Sequence, residues 1–168
     1  MLNHALFSGG YLDRLHRTEE LADKTGNDAR GAAAGAPVFI NPPHGGRCDR
    51  THQDERQHYP VLYLFHGQSS TDDQWDRMGV DEMADRLIAA GEIPPLILVM
   101  PYDRYGGQPT ETEFSQAISE VLVPHIDQAY RTIPDRDHRA VGGLSRGAGW
   151  AVHFGISKWE LFGGLGAH

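Results

Sequence analysis

Three short apolar runs, separated by helical patterns, restrict the fold of this 168-residue chain more than any other feature. Val61-Leu62-Tyr63-Leu64-Phe65 and Leu96-Ile97-Leu98-Val99-Met100 are continuous rather than alternating. That is the pattern of strands covered on both faces in a parallel sheet. The third run, Arg139 to Gly142, leads directly into a glycine-rich turn. Between the first two, Val80, Met83, Ala84, Leu87 and Ile88 recur at helical spacing, with Gly91 as the stop. Phe114, Ala117, Ile118, Val121 and Leu122 make a second stripe, with a kink expected at Pro124. Ala148, Ala151, Val152 and Ile156 are expected to share the buried face of a third helix. Strand alternating with helix requires right-handed crossovers, so the expected class is α/β: a mostly parallel sheet with helices on both faces.

The third run breaks into Gly143-Leu144-Ser145-Arg146-Gly147, a Gly-x-Ser-x-Gly that follows a buried strand and opens a helix. A serine hydroxyl is a poor nucleophile unless its backbone presents it in a strained, exposed turn, and small flanking residues let such a turn approach its neighbours. Ser145 is therefore the expected nucleophile, forming an acyl-enzyme with an ester carbonyl. The oxyanion that develops needs two pre-aimed N–H donors. One is the backbone N–H of Arg146, at the positive end of the new helix. The other is expected from the loop after the first strand, His66-Gly67-Gln68, with the N–H of Gln68 as the candidate. The nucleotide-binding alternative fails, because neither Gly-x-Gly-x-x-Gly nor a following Gly-Lys-Ser/Thr is present.

Other polar residues are weighed against this frame. His66 invites assignment as the base, but a His-Gly pair at a strand end more often shapes the oxyanion loop, and with Gly67 it is expected to border the substrate. Tyr102, Asp103 and Tyr105 follow the second strand, where parallel sheets open onto a ligand crevice, and could line an acyl or alcohol pocket; an ordinary solvated loop is the alternative. His153 lies two helical turns beyond Ser145 and is too far to serve it. His168 ends a further possible strand, Phe162 to Gly166, beside the Ser145 strand. Asp127 and Arg131 read as a structural pair.

A net charge of −8 argues against nucleic acid and anionic membranes as partners. Cys48 is the single cysteine, so neither an internal disulfide nor a cysteine zinc site can form, and none of the ten histidines makes a His-Glu-x-x-His pair. No run is long enough to span a membrane and no secretory signal is visible, which makes the cytoplasm the default location.

Tyr59-Pro60-Val61-Leu62-Tyr63-Leu64-Phe65-His66-Gly67, then Val123-Pro124-His125-Ile126-Asp127-Gln128-Ala129-Tyr130-Arg131-Thr132, then Asp137 to Gly147 occur in the order found in one known group. The chain resembles the putative-esterase group of the α/β hydrolases, which includes esterase D, feruloyl and acetyl xylan esterases, enterochelin esterases and mycolyltransferases. The resemblance covers residues 37–168. It implies an α/β-hydrolase fold and a serine carboxylesterase acting on a small-molecule or carbohydrate ester without metal or organic cofactor. Ser145 would be the nucleophile, and Arg146 and Gln68 would supply the oxyanion N–H groups. The group places its acid and histidine after later strands. Residues 37–168 are thus expected to be a partial domain, truncated at its C-terminal end and weakly active or inactive, with an exposed sheet edge open to homo-oligomers. Residues 1–36 match nothing in the group; Leu12, Leu15, Glu19 and Leu21 hint at a helix and residues 26–36 at a linker. Two alternatives stand beside hydrolysis: a non-catalytic fragment that binds a partner through that edge, and acyl transfer through the same serine.

Overall fold

The computed structural model of the protein describes residues 57–103 and 107–168. The expected N-terminal helix, the linker and Tyr105 lie outside the described residues. Four strands form one parallel sheet: β1 (Val61–Phe65), β2 (Ile97–Val99), β3 (Arg139–Gly143) and β4 (Gly164–Ala167). Their order is β2-β1-β3-β4. Register runs Val61 against Ile97 and Arg139, Phe65 against Gly143, and Gly143 against Ala167. The second apolar run hydrogen-bonds over three residues instead of five, although Met100 beyond it is still buried.

Helices fill every connection. The short α1 (Gln74–Arg77) and α2 (Val80–Ala89) join β1 to β2. From β2 to β3 the chain passes through α3 (Glu113–Gln116), a π-helical segment (Ala117–Leu122) and α4 (Val123–Ala129). Finally α5 (Arg146–Ser157) joins β3 to β4. Successive side chains of a strand point to opposite faces, so β1 serves two cores. Val61, Tyr63 and Phe65 pack with Phe114, Ile118, Leu122, Ile126, Trp150 and Phe154. Leu64, with Leu62 at its margin, meets Leu98, Met100 and Ala84 beneath α1 and α2. Helices therefore cover both faces, as the uninterrupted apolar runs require.

Several details differ from the sequence reading. The kink expected at Pro124 falls where the helix changes type. Proline has no N–H to donate to residue 120 and its ring crowds that carbonyl, and here the widened π-helical turn immediately precedes it. In α5 the buried face is Gly147, Trp150, Ala151 and Phe154, while Val152 and Ile156 are exposed. This helix is apolar on most sides, so periodicity alone could not choose its inner face. Met83 of α2 is likewise exposed. Asp127 is structural, holding the buried Arg139 guanidinium at 2.6 Å and the Thr132 hydroxyl at 2.8 Å. Arg131 lies over the Tyr59 ring.

The strand order has one functional consequence. From β1 the chain moves outward to β2, then returns past β1 to build β3 and β4 on its other side. The segments leaving β1 and β3 therefore run to opposite faces, and their divergence opens a crevice at the C-terminal ends of these two strands. Ser145 and the His66-Gly67-Gln68 loop both stand at that crevice.

Candidate active site

Ser145 occupies the junction of β3 and α5 with φ 55° and ψ −112°, a conformation costly for any residue with a Cβ. Its neighbours explain why the chain tolerates it. A Cβ on Gly143 would stand 2.1 Å from the Gly147 carbonyl oxygen, and one on Gly147 would stand 2.1 Å from the Phe65 carbonyl oxygen. Both glycines of the motif are thus steric requirements of a helix that starts hard against the end of β1. Ser145 takes the N-cap position, yet its hydroxyl makes no capping hydrogen bond and the residue is exposed. The turn is clamped from β4: Ser145 N–H donates to the His168 carbonyl (2.8 Å), and His168 N–H donates to the Gly143 carbonyl (3.0 Å). The strand expected beside Ser145 exists, and His168 meets the elbow through its backbone.

The loop after β1 lies against this elbow. A Cβ on Gly67 would be 3.8 Å from that of Ser145. The loop is held by Gly67 N–H to Gln74 Oε1 (2.7 Å) and by Ser70 N–H to the Gly67 carbonyl (3.2 Å). Phe65 O accepts from Leu144 N–H (3.3 Å) and from Trp75 Nε1–H (3.0 Å), which ties β1 to both following segments. Within the described residues no hydrogen bond takes up the backbone N–H of Gln68 or of Arg146. The second of these is the first amide of a 12-residue helix, where the partial positive charge of the helix end is concentrated.

His66 is buried, and its ring is fully engaged. Gly67 O can only accept, so Nδ1 carries the proton of that 2.8 Å contact; Nε2 then accepts from Asp103 N–H at 2.9 Å. A ring with both nitrogens so occupied shapes the loop and has no free nitrogen for proton transfer. Gly67 adjoins it, and Tyr102 is half-buried with its ring 5.4 Å from the imidazole.

Asp103 is buried and its carboxylate is engaged by α5. Its carboxylate accepts from Arg146 Nε (3.0 Å) and Nη2 (2.5 Å) and from Trp150 Nε1 (2.7 Å). Arg146 and Trp150, four residues apart on one side of α5, were detectable as a pair, but nothing local to Asp103 announces them as its partners. Arg146 and Trp150 also line a cleft of about 220 Å³, together with Gln108, Thr112, Glu113 and Phe114. It forms because Thr112 caps α3, its hydroxyl accepting from Ser115 N–H, and so turns Phe114 inward against Trp150. The sequence reading missed this cleft.

His153 stays away from Ser145, as helical spacing demanded. Its Nε2 is 2.8 Å from the buried Ser115 hydroxyl and 3.7 Å from Glu111. Burial holds its pKa below the ordinary 6.5, Glu111 acting against this and Lys158 with it. Burial also raises the carboxyl of Asp72, in the loop after β1, above its ordinary value. Among the described residues no three His, Cys, Asp or Glu side chains are grouped to hold a metal ion, and no helix is long and apolar enough to cross a membrane.

Several proteins similar to this chain are esterases. A ferulic acid esterase of known structure superposes with a TM-score of 0.59 at 34% identity, covering 66% of this chain and 45% of that one. A ferulic acid esterase from Anaeromyces mucronatus gives 0.56 at 26% identity, covering 68% of this chain and 48% of that one. In sequence, the endo-1,4-beta-xylanase/feruloyl esterase of Xylanibacter ruminicola is 35% identical over 145 residues, 82% of this chain and 19% of that protein. The chain thus spans under half the length of these solved structures and about a fifth of this curated relative. The fold is the α/β-hydrolase fold over the part that the chain covers. Residues 50–168 match the profile of the family described as Putative esterase, and the chain belongs to that family.

Proposed function

We propose that the chain carries the nucleophile of a serine-dependent carboxylic ester hydrolase. Ser145 Oγ attacks the ester carbonyl carbon as a general base takes its proton, and the carbonyl π electrons move onto oxygen. The N–H groups of Gln68 and Arg146 receive this oxyanion. Collapse expels the alcohol and leaves acyl-Ser145, which water cleaves to the carboxylic acid. Removing one such donor typically costs about 3–4 kcal/mol of barrier stabilisation. The base is a group other than His66, whose nitrogens are both engaged.

One observation carries the reading: an exposed serine at φ 55° between two glycines that cannot be replaced without a backbone collision. An aromatic acyl group of the feruloyl kind is the substrate class favoured by the relatives at 34–35% identity. The Phe114 and Trp150 rings in the cleft beside Arg146 suit such a flat group. The test is release of p-nitrophenolate from p-nitrophenyl acetate by the chain and by Ser145→Ala. A sharp fall in release in the variant is expected, because without the Ser145 hydroxyl no acyl-enzyme forms. Release that is absent, or unchanged by the substitution, overturns the reading.

A further inference from the structure

We infer that Asp103 is a positioning residue that aims both oxyanion amides, Arg146 N–H through its carboxylate and Gln68 N–H through His66. The inference rests on the esterase reading for what these amides bind; the brace itself rests on contacts alone. Asp103 is 8% exposed and follows β2, yet it reaches the segments after both β1 and β3. A buried carboxylate is costly unless its lone pairs are filled. Here two guanidinium N–H groups and the Trp150 indole N–H all donate to its Oδ2. Arg146 opens α5, so fixing its side chain beside Asp103 restrains the turn that carries its own backbone N–H.

The second arm works through peptide geometry. Asp103 N–H donates to His66 Nε2, which leaves Nδ1–H to donate to the Gly67 carbonyl. That carbonyl and Gln68 N–H belong to one planar trans peptide and point in opposite directions. Holding the oxygen from one side, with Ser70 N–H as a second donor, therefore sets the direction of the Gln68 N–H on the other. Rotating this plane would aim the amide away from the crevice while breaking both contacts.

Asp103→Asn keeps the volume and removes the charge, and His66→Asn keeps a donor near Nδ1 while removing the Nε2 acceptor. Residue-resolved hydrogen exchange on the full chain is the primary measurement. In His66→Asn the amides of Gly67 and Ser70 are expected to exchange at least about tenfold faster; in Asp103→Asn, which leaves the backbone N–H of residue 103 on His66 in place, the same acceleration is expected at Gly147. Met83 in α2, whose amide bonds the Gly79 carbonyl, is expected to be unchanged. A merely structural role would raise Met83 in step with the loop. Kinetics give the second readout: Ser145-dependent kcat for p-nitrophenyl acetate falls about 10- to 100-fold, the scale for a misplaced catalytic group, with KM nearly constant. Unchanged exchange at Gly67 and Ser70 in His66→Asn or at Gly147 in Asp103→Asn, uniform acceleration that includes Met83, or a raised KM at constant kcat overturns the inference. Should the unsubstituted chain show no Ser145-dependent release, the esterase reading falls by itself, and exchange alone decides the role of Asp103.

Discussion

Gly147→Ala tests the contact that forces the elbow into being. The new Cβ would lie 2.1 Å from the Phe65 carbonyl oxygen, 2.6 Å from its carbon and 2.8 Å from the His66 carbonyl oxygen. All three are backbone atoms, and Phe65 O is pinned by Leu144 N–H and the Trp75 indole. Relief therefore requires α5 to withdraw from β1 by about an ångström, taking Trp150 and Phe154 out of their packing against Phe65. Overpacking of this kind costs about 1–3 kcal/mol, and an unyielding backbone obstacle puts the cost at the upper end. Alanine's advantage over glycine within a helix returns about 1 kcal/mol, which leaves a net loss near 2 kcal/mol. Gly155→Ala in the same helix is the matched control. Its Cβ would meet only Leu165 side-chain atoms, at 3.1–3.5 Å, and Leu165 is half exposed and free to swing. Urea unfolding followed by circular dichroism should place Gly147→Ala well below the parent chain and Gly155→Ala at or above it. A Gly147→Ala midpoint equal to the parent's would refute the close approach of α5 to β1, and with it the steric account of the motif.

Two further outcomes follow from local geometry. Ser145 holds φ 55° at a cost typical of strained backbone, so Ser145→Gly should raise stability by about 1 kcal/mol, whereas Ser145→Ala, which keeps a Cβ, should not; equal midpoints for the two variants would remove the strain from the account. Burial depresses the His153 pKa below 6.5, so the folded chain resists a proton that the unfolded chain accepts: the effect vanishes above that value, and stability falls as pH drops through it. His153→Gln should flatten this acid-side slope in denaturant midpoints measured across that range, and a slope unchanged by the substitution would assign it to other groups.

What the sequence disclosed was whatever a local pattern could encode. Burial on both faces removes alternation from β1 and β2, and two collisions demand glycine at 143 and 147, so the strands and the elbow were readable from composition along the chain. The inner face of α5 was not, since Val152 and Ile156 are as apolar as Phe154 and only the seat of Gly147 against Phe65 sets the rotation. The role of Asp103 was hidden for another reason. Its partners lie 37, 43 and 47 residues away, a separation that no periodicity reports. Given the strand order, however, those partners become almost unavoidable. β2 and β3 flank β1, so a short side chain just past β2 borders the turn after β1, and α5, starting at β3 and crossing the end of β1, carries Arg146 and Trp150 toward it. A carboxylate buried there without the guanidinium would be strongly destabilising. The choice of Asp at 103 and Arg at 146 is therefore one choice made by topology, and it falls at the first residue of α5, next to Ser145.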